Sequence, residues 1–243
     1  MDLFRTVAVV GCLAFSWAAP AWAGEVRGVV RLDGPVPAPK VVTVEPKKAG
    51  DSLDACGDHA RVSQRLVVDP SGGVQYGVVW LQAVPQDGQV VEEIAASNDV
   101  AVLDQQRCEF VPHVMVMQPG TSLVIRNSDP VRHNVRIFQD GMMLMHRWQQ
   151  AKSDEIEWRF EQGGRYLVRC GIHPWMHAWV VVVDHRYSAV TNADGSFSIP
   201  EVPDGQYVLQ VWHETLGERE EAIRVGVDGE DVTVRFAQGG GSE

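Results

Sequence analysis

A cysteine, two histidines and a methionine fall within the short segment "CGIHPWMH", residues 170–177. Two residues separate Cys170 from His173, and two separate His173 from Met176. Pro174 disfavours helix at the residue before it, so the segment is expected to form a tight loop. A loop of this kind can direct three side chains toward one point. Because thiolate and thioether are soft ligands and imidazole suits copper, the spacing predicts a copper site.

A fourth ligand is predicted upstream, in the polar turn and strand "NSDPVRHNVRIF", residues 127–138. His133 lies where this strand begins, so two facing sheets would bring it to the same end as Cys170 and His173. A thiolate, two imidazoles and a weak axial thioether form the ligand set of a type 1 (blue) copper centre. Structural zinc sites use four cysteine or histidine ligands instead. One copper ion is therefore the predicted cofactor.

These segments resemble the ligand motifs of the plastocyanin and amicyanin type of cupredoxin. The segment "CGIHPWM" (170–176) is similar to the Cys-x-x-His-Pro-aromatic-Met loop of that family. The upstream "HNV" (133–135) is similar to its histidine motif, and "GGRYLVRC" (163–170) to the strand that leads to its cysteine. The resemblance implies a cupredoxin Greek-key sandwich, which we expect over residues 97–184.

The resemblance also implies a role for each motif residue. His133, Cys170 and His173 would be the equatorial copper ligands, and Met176 the axial ligand. Asn134 would brace the ligand loop through hydrogen bonds, as such sites require of the residues around the ligands.

His177 departs from the family pattern, because it directly follows the predicted axial methionine. It is an additional candidate metal ligand, or a protonatable charge beside the site. We expect His173 to lie at the loop tip as the exit for electrons. Trp175 and Trp179 would form an aromatic docking surface at the same end.

The predicted function is one-electron transfer in the periplasm, without enzyme activity. The partners would be redox proteins such as a c-type cytochrome or a periplasmic dehydrogenase. A copper-binding or delivery protein without electron transfer is an alternative, since Met142, Met143, Met145 and His146 form a second soft cluster. A metal-free scaffold is another. His113, His185 and His213 are expected to be structural.

Cys56 and Cys108 are the remaining cysteines outside the predicted leader. Each is followed by a histidine, His59 and His113, so the two pairs could form a zinc site. Export of the chain favours a disulfide between them instead.

Residues 1–23 predict a secretory signal peptide, with a basic start, an apolar stretch and a small-residue cleavage pattern at the end. A membrane anchor and a lipoprotein signal at Cys12 are alternatives, although the apolar stretch is short for a membrane span. The formal net charge of −11 and the lack of a basic cluster argue against nucleic-acid partners and favour basic proteins.

Short β-rich runs separated by glycine, proline and aspartate turns predict an all-β protein. Short helices are expected only near Lys47–Ala55 and Met142–Ala151. The sequence suggests an N-terminal β unit over 24–96, a copper domain over 97–184, a further β unit over 185–238 and a flexible tail over 239–243.

The third unit contains "TNADGSFSIPEVPDGQYVLQVWHE", residues 191–214, which resembles a carboxypeptidase regulatory-like (transthyretin-like) β-sandwich. Asp194-Gly195 would form a hairpin turn, and Phe197 and Tyr207 would supply aromatic core. The two terminal units would be separate small sandwiches flanking the copper domain, or would pair into one sandwich that contains the middle as an insertion.

Overall fold

The computed structural model describes residues 23–43, 56, 60–83, 100–152 and 155–238. Every regular element in these ranges is a β-strand, which confirms the predicted all-β class. Among the same residues, no helix is long and apolar enough to span a bilayer. The predicted signal peptide (apart from Ala23), the helix at Lys47–Ala55 and the tail lie outside the described residues.

The strands, in chain order, are β1 (Ala23–Leu32), β2 (Val41–Thr43), β3 (Ala60–Val62), β4 (Val78–Ala83), β5 (Val100–Gln106), β6 (Glu109–Val111), β7 (Val114–Met117), β8 (Ser122–Ile125), β9 (His133–Gln139), β10 (Met142–Gln149), β11 (Ile156–Arg159), β12 (Gly164–Cys170), β13 (His177–Val182), β14 (Ser188–Val190), β15 (Ser196–Pro203), β16 (Gly205–His213), β17 (Gly217–Val225) and β18 (Glu230–Phe236).

The middle of the chain folds into two sheets that share one core. Their strand orders are β10-β9-β12-β13-β7 and β11-β8-β5-β6. Leu103 and Ile125 from one sheet and Ile137 and Val168 from the other are fully buried in a single apolar cluster. Along β12, alternation places every second side chain from Tyr166 to Cys170 in this core. We call this unit the middle sandwich.

Strands from both chain ends share the sheets of a second unit, which we call the outer sandwich. Its strand orders are β15-β1-β18 and β14-β4-β16-β17. In the first sheet Val26 of β1 lies opposite Ile199 of β15 and Glu230 of β18, and in the second Leu81 of β4 lies opposite Leu209 of β16. Of the two arrangements left open by the sequence, the structure has the paired one.

The turn that leads into β15 follows the sequence prediction. Gly195 has a φ of +79°, and a Cβ there would lie 2.4 Å from the carbonyl oxygen of Val30. Glycine accepts this backbone conformation without strain. Phe197 and Tyr207 are buried in the outer core, which confirms their predicted aromatic contribution.

The predicted helix at Met142–Ala151 is wrong, because residues 142–149 form strand β10. This strand pairs antiparallel with β9, from Met142 opposite Gln139 to Gln149 opposite His133. Asp140 and Gly141 both have positive φ, and this pair makes the tight hairpin turn between the two strands. The pairing with β9 outweighs the helix propensity of methionine and leucine.

The two sandwiches contact each other through a small apolar cluster. It contains Val78 and Trp212 from the outer sandwich and Val114, Val181 and Val183 from β7 and the region of β13. Trp212, near the end of β16, is thereby held against β7 and the end of β13.

The predicted disulfide between Cys56 and Cys108 is present. It spans 52 residues and ties the chain before β3 to the turn between β5 and β6. Both sulfur atoms are bonded to each other, so the alternative zinc set is not supported.

We expect replacement of both cysteines by serine to lower the free energy of unfolding by about 2–4 kcal/mol, because the disulfide restricts the unfolded chain. Urea unfolding of parent and variant measures this difference. Reductant should lower the stability of the parent to that of the variant and leave the variant unchanged. Three free thiols in the denatured chain without its leader would contradict the bridge.

Candidate metal centre

The hairpin of β12 and β13 carries the predicted ligand loop. β12 ends at Cys170 and β13 begins at His177. The main-chain N–H of Cys170 donates to the carbonyl of Met176 at 3.0 Å, and the N–H of Met176 donates to the carbonyl of His173 at 3.0 Å. These bonds close the loop, in which the side chains of Cys170, His173 and Met176 are buried.

Three donor atoms converge inside this loop. Cys170 Sγ lies 3.7 Å from His133 Nδ1 and 3.7 Å from His173 Nδ1, and the two Nδ1 atoms are 3.0 Å apart. The three residues are 5%, 0% and 3% exposed. A buried thiolate and two imidazole nitrogens at these separations fit a single copper ion.

Met176 is 1% exposed and belongs to the same buried cluster as Cys170. The structure thus brings the fourth predicted ligand into the core beneath the loop. Its role as the axial ligand stays a prediction.

The surroundings of Cys170 favour its thiolate form, which is the form that binds metals. Burial raises its pKa, but hydrogen bonds with His133 and His173 outweigh burial and lower the pKa to about 5. The main-chain N–H of Ile172 also donates to Sγ, at 3.4 Å. Because the thiolate is the metal ligand, this environment prepares Cys170 for coordination.

Asp129 fixes the orientation of His133, and the sequence analysis did not identify it. His133 Nε2 donates to Asp129 Oδ2 at 2.8 Å, and the same carboxylate accepts main-chain N–H bonds from Arg107 (2.6 Å) and Cys108 (2.9 Å). Carboxylates commonly orient metal-binding histidines in this way. The four-residue spacing in "DPVRH" was the available signal.

Asn134 contacts the loop through its main chain. Its carbonyl accepts the N–H of Gly171 at 2.9 Å. Its side chain also lies against the loop, since a Cβ at Gly171 would be 2.4 Å from Oδ1. Nδ2 lies 2.6 Å from His146 Nε2, and Oδ1 accepts from Arg136 Nε at 2.7 Å. His146 therefore contacts a residue of the site without belonging to the donor triangle.

His173 lies in the loop between β12 and β13, but only 3% of the residue is exposed, and its role as the exit for electrons stays a prediction. His173 Nε2 lies 3.9 Å from Cys56 Sγ. Arg61 donates to the carbonyl of Cys56 at 2.5 Å and pairs with Glu109 at 3.1 Å. The two disulfide sulfur atoms thus lie beside the histidine ring, and this long-range contact has no local sequence signal.

The two tryptophans proposed for docking are half-buried against the chain itself. Trp175 Nε1 donates to the carbonyl of Cys108 at 3.1 Å, and its ring lies 5.1 Å from that of His173. Trp179 packs at 5.1 Å on Trp212 of the outer sandwich. Trp175 also lines a cavity of about 780 Å³ beside the ligand loop. Docking of a partner here stays a prediction.

His177 belongs to a different group from the donor triangle. Its Nε2 lies 3.0 Å from Glu214 Oε2, and His113 contacts the other oxygen of the same carboxylate. Sequence reasoning did not identify Glu214, which follows β16 of the outer sandwich. His113, expected to be structural, is one of its partners.

No protein-family model matches the chain. A curated relative, the methylamine utilization protein MauL of Methylophilus methylotrophus, is 28% identical over 103 residues, covering 40% of this chain. The chain spans 59% of the length of that relative. Among solved structures, a purple cupredoxin from Nitrosopumilus maritimus is 24% identical to this chain, with a TM-score of 0.31. The match covers 34% of this chain and 99% of the cupredoxin chain. A reduced Cu(I) form of an amicyanin variant is 20% identical, with a TM-score of 0.33. This match covers 39% of this chain and 94% of the amicyanin chain.

We expect Asp129→Asn to weaken copper binding by about 10–100-fold, the usual effect of removing a group that orients a metal ligand. Competition with a copper chelator measures the affinity. Asp140→Asn is the matched control, because Asp140 lies in an exposed hairpin turn. Equal affinities for the two variants would show that Asp129 does not support the site.

Proposed function

We propose that the middle sandwich holds one copper ion at His133, Cys170 and His173, with Met176 as a weaker fourth ligand, and that the protein carries single electrons. The observation that supports this proposal is the buried convergence of one thiolate and two imidazole nitrogens, 3.0 to 3.7 Å apart. When bound in such a set, copper supplies a one-electron change between Cu(I) and Cu(II).

The chain's own residues keep the donor atoms in place. Asp129 orients the ring of His133, and main-chain hydrogen bonds fix the loop from Cys170 to Met176. The buried core beneath the loop excludes water from the thiolate. A site that holds its ligands rigidly in both metal states suits electron transfer.

We place this function in an exported, oxidising compartment, the periplasm. The predicted leader and the Cys56–Cys108 disulfide both support that location. We propose a redox protein as the partner, such as a c-type cytochrome or a periplasmic dehydrogenase. The partner would contact the protein around the cavity that Trp175 lines. A small interface there would suit a complex that forms and dissociates quickly during electron transfer.

A copper-holding protein without electron transfer is a second candidate, because His173 is 3% exposed. A covered ligand hinders exchange with a partner, whereas it does not hinder retention of the metal. The two candidates differ in whether bound copper is reversibly oxidised.

Anaerobic titration of the purified chain with copper, followed by oxidation, tests the proposal. We expect one copper per chain and an intense visible thiolate-to-copper absorption that disappears on reduction and returns on oxidation. Cys170→Ala should abolish this absorption. Met142→Ala is the matched control, because this side chain is 65% exposed and lies outside the donor triangle.

A colourless Cu(I) protein that cannot be reoxidised would favour the copper-holding candidate. Unchanged copper content in Cys170→Ala, with loss in Met142→Ala, would overturn the proposed site and place the metal at the methionine cluster.

A further inference from the structure

Two histidines of the middle sandwich meet one glutamate of the outer sandwich at their contact. His113 precedes β7, His177 begins β13, and Glu214 follows β16. One ring nitrogen from each histidine and one carboxylate oxygen all lie within 4.8 Å of one another. The side chains are 2%, 12% and 4% exposed. This cluster is separate from the Cys170 donors, and the proposed electron transfer does not use it.

Main-chain carbonyl groups hold both imidazole rings. His113 Nδ1 lies 3.2 Å from the carbonyl oxygen of His177, and His177 Nδ1 lies 3.2 Å from that of Trp175. An oxygen at this position requires Nδ1 to carry the proton. The Nε2 atoms then point away from these carbonyls, which is the orientation that metal-binding histidines adopt.

Both Nε2 atoms point at the carboxylate of Glu214. His113 Nε2 lies 2.5 Å from Oε1 and His177 Nε2 lies 3.0 Å from Oε2. Burial raises the pKa of Glu214, but its contacts with the two histidines outweigh burial and hold the pKa well below the usual range. The carboxylate is therefore ionised.

Neutral imidazoles do not satisfy this arrangement. Either neutral tautomer of His113 or His177 leaves one nitrogen lone pair against an oxygen. Two extra protons would relieve this contact, but they would bury two like charges on rings whose centroids are only 4.9 Å apart. One divalent cation supplies the same charge and accepts an electron pair from each of the three groups.

We propose that His113, His177 and Glu214 bind a divalent transition-metal ion of the zinc class, which bridges the two sandwiches. Two imidazoles and one carboxylate form a known zinc ligand set that leaves further coordination positions open. His113 and His177 line the cavity of about 780 Å³, so those positions have access to solvent. The site does not depend on copper at Cys170.

The neighbouring groups are compatible with this assignment. Trp179 Nε1 donates to Glu214 Oε2 at 3.2 Å and orients the carboxylate. Arg65 lies 3.6 Å from the same oxygen, but its side chain is 65% exposed. The guanidinium group can therefore move into solvent when a cation binds.

Zinc titration of the purified full chain tests the site, after one equivalent of anaerobic Cu(I) has been added to occupy the Cys170 donors. Native mass spectrometry counts the bound ions. We expect one Zn(II) per chain and a higher thermal unfolding temperature, because the ion crosslinks the sandwiches. Glu214→Gln and, in the other sandwich, His113→Gln should each abolish both effects. Glu221→Gln, an exposed carboxylate on β17, should retain both.

Equal zinc binding by the parent, Glu214→Gln and His113→Gln would overturn the site and leave a hydrogen-bonded cluster. Two variants are used so that the test still stands if one of them misfolds. Circular dichroism shows whether each variant is folded. Cobalt(II) gives a second readout, since this sulfur-free site should show no thiolate charge-transfer band. If copper does not bind, only the proposed function is contradicted. The zinc site is tested by a different measurement, the loss of zinc binding in Glu214→Gln.

Discussion

Four ionisable side chains are buried together at one end of the middle sandwich, and this burial constrains the structure around them. Cys170, His133, His173 and Asp129 are each at most 5% exposed. Buried polar groups are costly unless they have partners, so each must be oriented toward another. The carboxylate of Asp129 fixes one imidazole, and the two imidazoles in turn stabilise the thiolate. The ligand geometry is therefore a consequence of how the protein satisfies its own interior.

The same constraint acts where the two sandwiches meet. Glu214 is an almost fully buried carboxylate that comes from one sandwich and finds its partners on the other. One of these partners, His177, directly follows Met176 of the ligand loop. Strand β13 thus begins between the Cys170 donors and the Glu214 cluster. A shift of the outer sandwich would therefore displace His177 and the ligand loop next to it.

Short-range features of the site could be predicted from the sequence, whereas long-range contacts could not. The spacing of Cys170, His173 and Met176 lies within one loop, and His133 is marked by a polar turn that enters a strand. The cover over His173 and the approach of Glu214 depend on how separate sheets pack, which leaves no local pattern. The methionine-rich segment of β10 was misassigned because pairing with β9, and not its own propensity, determines its structure.

The parallel pairing of β1 with β18 places the first and last described strands side by side, from Val26 opposite Glu230 to Leu32 opposite Phe236. As the chain emerges during synthesis, β1 lacks both of its strand partners until β15 and β18 near the other end of the chain have followed. The hairpins of the middle sandwich, β9–β10 and β12–β13, join consecutive strands, so each can form as soon as its second strand has been synthesised. Because distant pairings form slowly, we expect the ligand end to be assembled before the outer sandwich closes beside it. Metal capture and final closure would then be successive stages in the maturation of one chain.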